Sequence, residues 1–245
     1  MKTNWLGNLE RFLSGRHPGY AVGIWFLAAM LGIVFWYVTP QTHLFGQFNA
    51  RGLPTWEYIP VSAACFICPL LGPRVPLVEA IGARALWPYS LATGTTFVAL
   101  IGGLPAIAYL VLSALPVNIV PNPGRAYIGT LQEFTDVVSR SQLEAITLNV
   151  VFLAGAALAF TAIFGPRLGP VVYLGTYVAL VVMQSLEPFA SILPLPGAAG
   201  TAWMVTGPAP AVVAASASLI GIATWTFFNG MGPMGRRLRS SGLAS

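Results

Sequence analysis

Pro73-Arg74-Val75-Pro76-Leu77-Val78-Glu79-Ala80-Ile81-Gly82-Ala83-Arg84-Ala85-Leu86-Trp87-Pro88-Tyr89 is a short charged interruption between two long apolar runs. The side of a membrane on which it lies sets the direction of every helix before and after it, so the fold is read outward from here. Composition implies the membrane: of 245 residues 56% are hydrophobic and only 8% charged, with a mean hydropathy of +0.74. A soluble globule usually carries about a quarter charged residues to cover its surface.

Upstream of the interruption, residues 58–72 form the weakest apolar run. At 1.5 Å per residue they reach only about 22 Å against a hydrocarbon core of about 30 Å. Trp56 and residues 73–78 can extend this run at its two ends, and Pro60 and Pro69 predict a kinked or broken helix. Before it, residues 20–39 carry no charge and end in the interfacial aromatics Tyr20, Trp36 and Tyr37. That run is long enough to span and lacks a small-residue cleavage site, so it is expected to stay in the mature protein rather than act as a signal peptide. Between the two lies a polar loop, residues 40–57, containing His43, Arg51 and Glu57.

Downstream, the chain is uncharged from Leu86 to Arg125, and a third span is expected at 90–115 with a bend at Gly102, Gly103 and Pro105. Spans at 145–164 and 168–186 follow, joined by the tight turn Gly165-Pro166-Arg167-Leu168-Gly169-Pro170; Asn149 is the notable polar residue of the first. Residues 188–210 are apolar but broken by Pro and Gly, too irregular to cross as a helix, and are expected to dip into the outer leaflet and return. The sixth span, 209–228, carries small residues suited to close helix packing.

Two stretches are amphipathic instead. In 4–14, Trp5, Leu6, Leu9, Phe12 and Leu13 recur at helical spacing, a pattern that suits a helix lying in the headgroup region or, less specifically, a disordered tail. In 126–141, Tyr127, Leu131, Phe134 and Val138 do the same opposite Glu133 and Asp136. That acid pair reads either as a solvated face or as paired acid/base groups.

Six spans put both termini on one side. With that side cytoplasmic, nine of the twelve Lys and Arg residues lie inside, leaving Arg51, Arg125 and Arg140 outside, as the positive-inside rule favours. If residues 58–72 failed to cross, only five of the twelve would be inside. The charge distribution therefore favours counting the weak run as a span.

Several function classes are disfavoured. The net charge of +5 is read through topology, because no basic patch with interleaved aromatics points to nucleic acid. Cys65 and Cys68 stand in an apolar run with neither His17 nor His43 near in sequence, so they read as small helix residues ahead of a zinc or redox pair. The chain lacks G-x-x-x-x-G-K-[ST], H-E-x-x-H and G-x-S-x-G motifs. No expected span has an acid or base at its middle, as ion-coupled carriers commonly do. The chain is expected to be a non-enzyme powered from outside itself.

The length, the amphipathic helix at Trp5 to Leu13, six spans with both ends inside and the charged segment after span two resemble the separate permease subunits of type-two ATP-binding-cassette (ABC) exporters. In that family the segment holds a coupling helix, commonly a Glu followed by an Arg, and Glu79, Arg84 and Leu86-Trp87-Pro88-Tyr89 look similar. The broken segment 188–210 resembles the family's re-entrant extracellular helices.

The resemblance implies an all-α polytopic fold, with one transmembrane permease domain over residues 1–245 and an elbow helix at Trp5, Leu9, Phe12 and Leu13. It implies ATPase coupling through Glu79, Arg84, Trp87 and Arg167, although Glu79 and Arg84 also suit a solubilising loop. No cofactor is expected on this chain; ATP and Mg would sit on a partner ATP-binding subunit, and a second permease copy or sibling would complete the path in the plasma membrane. Rival expectations are a membrane-embedded enzyme using Glu133, Asp136 and Glu144, and a non-catalytic assembly or substrate-binding subunit.

Overall fold

The computed structural model describes residues 5–14, 16–36, 41–42, 51–52, 55–72, 87–115, 140–184 and 209–228. Glu79, Arg84, Glu133, Asp136 and the broken segment 188–208 lie outside the described residues. Apart from a two-residue antiparallel pair, β1 (Gln41–Thr42) with β2 (Arg51–Gly52), the described elements are helices. The N-terminal amphipathic stretch forms α1 (Trp5–Ser14), with Phe12 buried, Leu9 half-buried and Glu10 exposed. α2 (Pro18–Val34) opens on Pro18, whose fixed φ suits a first helical turn.

α3 (Thr55–Leu71) begins three residues earlier than the apolar run suggests, taking Thr55, Trp56 and Glu57 into its first turn. It runs on through Pro60 and Pro69, which lie toward its ends and do not break it. α4 (Trp87–Gly102) and α5 (Leu104–Ala114) meet at a 43° bend, at the Gly102-Gly103-Pro105 cluster. The first turn of α5 already holds Pro105, which has no N–H to lose there.

α6 (Arg140–Gln184) has 45 residues and would be about 67 Å long if straight. It is not straight. Gly165 has φ 85° and ψ 170°, a conformation essentially reserved for glycine. Beyond it the chain doubles back so closely that a Cβ on Gly169 would run into the backbone of Thr161. The result is two packed arms, residues 140–164 and 166–184, where the sequence leads one to expect two spans.

α7 (Ala209–Phe228) coincides with the expected last span. It packs along α6, crossing where Gly155 and Gly221 meet; a side chain on either would strike the other helix's backbone. α3 also lies against α6, α2 against α3 and α5, and α4 against α6 and α7.

Among the described residues, α6 and α7 are long and apolar enough to cross a membrane, and the bent pair α4–α5 makes a third if taken as one span. α2 and α3 are apolar but have 17 residues each, about 25 Å. Large apolar side chains cover the outside: Phe26 and Leu27 on α2, Leu110 on α5, Val171 on α6, Leu219 and Ile220 on α7 are all more than half exposed. Water penalises a belt of this kind and hydrocarbon does not, as expected of a membrane-embedded bundle.

Candidate functional site at the elbow and in the bundle interior

The last turn of a helix leaves carbonyls without intrahelical donors, and a cation placed there is favoured by the helix dipole. Arg16, in the link from α1 to α2, meets that demand at the end of α3. Its Nε donates to the Leu71 carbonyl at 2.7 Å and its Nη1 to the Phe12 carbonyl at 3.1 Å. The guanidinium lies 3.6 Å from the centre of the Phe12 ring, and the His17 amide donates to the Leu70 carbonyl at 3.1 Å. The Phe12 ring also packs against Tyr89, centroids 5.5 Å apart. α1 and its link thus touch the helix that leads into the charged segment and the helix that leaves it.

Trp87, the first residue of α4, is 54% exposed at this same end. Pro170 lies beside Cys65 and Tyr177 beside Glu57, so the second arm of α6 runs antiparallel to α3. The Gly165 turn, with exposed Arg167 just beyond it, therefore belongs to the end of the bundle where α3 finishes. Of the sequence-assigned coupling residues, Trp87 and Arg167 share one end of the molecule. Of the elbow residues, Leu9 and Phe12 face the bundle, Leu13 is 40% exposed, and Trp5 opens the helix.

A second cluster lies toward the opposite end. Glu57 is 1% exposed, in the first turn of α3, where the helix dipole favours a carboxylate. Asn149 Nδ2 donates to its Oε2 and the Tyr177 hydroxyl to its Oε1, both at 3.1 Å. One carboxylate therefore ties α3 to both arms of α6. One turn from Tyr177, the buried Tyr173 hydroxyl has no hydrogen-bond partner among the described residues.

No protein family, curated protein or solved structure matches this chain. What the site does is therefore read from its own residues.

The Glu57 cluster corrects the expectation that Glu57 belongs to a polar loop. The available signals are Trp56 and Glu57 abutting an apolar run, and Asn149 within one; no local pattern joins them. Chemically, a buried carboxylate with two neutral donors can hold helices in register or carry a proton or cation. Cys65 and Cys68 are free thiols on α3, and Glu144 is exposed on the first arm of α6. Among the described residues no three His, Cys, Asp or Glu side chains gather as metal ligands.

Proposed function

We propose that this chain is a six-span permease subunit of a type-two ABC exporter, in the plasma membrane with both termini cytoplasmic. It pairs with a second permease copy or a sibling and moves an amphipathic or hydrophobic substrate, using ATP hydrolysed by a separate subunit. The observation that carries this reading is the contact of the elbow with both flanks of the charged segment, through Arg16 on Leu71 and Phe12 on Tyr89. A partner pushing on residues 73–86 would act on α3 and α4 together with the elbow, and so tilt helices rather than bend a loop. The excess of basic residues assigned to that side supports a cytoplasmic location.

Affinity purification in mild detergent tests it. The native chain is expected to retain a stoichiometric ATPase with Walker motifs, and Glu79→Lys to lose it while remaining membrane-inserted; retention undiminished by Glu79→Lys refutes coupling there. The buried Glu57 favours a second reading, a carrier coupled to proton or cation movement. Transport abolished by Glu57→Gln, in a preparation from which no ATPase co-purifies, would select it.

A further inference from the structure

We propose that Cys65 and Cys68 bind one soft monovalent cation, Cu(I) being the biological example, between α3 and the second arm of α6. The two thiols are free and stand three residues apart on α3, which puts their Cβ atoms on one face about 5–6 Å apart. Metal–thiolate bonds are about 2.3 Å long, so an ion held between two sulfurs spans about 4.6 Å, within reach of that spacing. Pro69 has no N–H to offer the Cys65 carbonyl, so the turn joining the pair lacks one hydrogen bond that would resist a small adjustment. Cys68 is buried and Cys65 half-buried, which leaves an entry on one side.

The surroundings favour a ligand over a plain apolar contact. The Cys65 sulfur lies 4.0 Å from the Pro170 carbonyl, and Gly169, the preceding residue, packs on the backbone of Thr161. Tyr173 follows one turn later on the same arm, and a helical side chain leans toward the N-terminal turn of its own helix, here the turn of Gly169 and Pro170. Tyr173 and Cys68 belong to one buried core. The hydroxyls of Tyr173 and Thr161 are both buried without a hydrogen-bond partner among the described residues, a costly arrangement in an apolar interior. A thiolate beside them supplies the missing acceptor. When the ion enters, each thiol gives its proton to solvent as its sulfur–metal bond forms; the metal keeps its oxidation state and the site gains one negative charge. The two hydroxyl donors, and the buried guanidinium of Arg16 on the Leu71 carbonyl one turn past Cys68, offset that charge. Zinc is disfavoured because it takes four ligands, and among the described residues no third His, Cys, Asp or Glu joins the pair. Two thiolates suit a soft ion. Such binding depends on the packing of α3 against α6 and not on whether an ATPase docks.

The test is titration of the full chain in mild detergent with Cu(I), kept reduced by ascorbate and buffered by bathocuproine disulfonate as competing chelator. One Cu(I) per chain is expected, with two sulfur neighbours by X-ray absorption. Cys65→Ala and Cys68→Ala each remove one of the two ligands and should abolish stoichiometric retention while helical circular dichroism stays native. Tyr173→Phe keeps both sulfurs and should weaken Cu(I) binding about 10–100-fold. In the metal-free chain the same variant removes an unpartnered hydroxyl, so reversible SDS unfolding should be unchanged or shifted toward greater stability. The proposal is overturned by a native chain that retains no Cu(I), by stoichiometric retention in either cysteine variant, by undiminished affinity in Tyr173→Phe, or by equal retention of Zn(II).

Discussion

Removing the Glu57 carboxylate tests how α3 is held to α6. Glu57→Ala takes away the acceptor of two buried hydrogen bonds, each 3.1 Å long, from the Asn149 amide and the Tyr177 hydroxyl. In a water-soluble interior the loss of each such bond costs about 1–3 kcal/mol. Within membranes, interhelical hydrogen bonds average about 0.6 kcal/mol and reach about 1.7, because separated helices find other partners. The membrane scale governs here, so the two bonds contribute about 1–3 kcal/mol. The vacated side-chain volume adds about 1 kcal/mol, for a total loss of about 2–4.

Glu57→Gln should cost about 1 kcal/mol or less, since its carbonyl still accepts from Asn149 and its amide can donate to the Tyr177 oxygen. The assay is reversible SDS unfolding in mixed micelles, followed by helical circular dichroism. Tyr177→Phe should cost less in the Glu57→Ala background than in the native chain, by a coupling of about 0.6–1.7 kcal/mol. A Glu57→Ala protein within about 0.5 kcal/mol of native, or a Tyr177→Phe cost identical in both backgrounds, would refute the clamp.

The same titration reads two backbone predictions. Gly165→Ala forces a side chain into a φ of 85° and should cost about 1–3 kcal/mol, whereas Gly175→Ala, with open space around it in the second arm of α6, should be neutral or stabilising by up to about 1 kcal/mol. Gly221→Val drives atoms into the backbone at Gly155 and should lose about 1–3 kcal/mol and alter the near-ultraviolet signal of buried Trp225, while Ala223→Val on the exposed face should change neither.

Much of the helical framework is legible in the amino-acid sequence. In hydrocarbon, backbone groups must be satisfied within their own segment, so an apolar run of sufficient length already specifies a helix. Residues 209–228 and the bend near Gly103 follow on that ground, as does the break at Gly165-Pro166, because glycine and proline act through their own dihedrals. The amphipathic period over Trp5 to Leu13 likewise specifies α1 and the inward turn of Phe12. Helix ends are less legible: Thr55 and Glu57 read as loop because polarity alone does not distinguish a solvated residue from a buried, paired one.

What the sequence by itself determined is the class of the protein, an apolar helical chain whose interruptions fall at its charged and Gly/Pro-rich stretches. Only the tertiary structure decided which polar residues meet. Asn149 and Tyr177 reach Glu57 across 92 and 120 residues of sequence, and Arg16 reaches Leu71 across 55. Helix formation needs contacts three or four residues apart, which a sequence pattern records. Partners for a buried carboxylate or a helix's last carbonyl are chosen by how whole helices pack, and no local pattern encodes that choice.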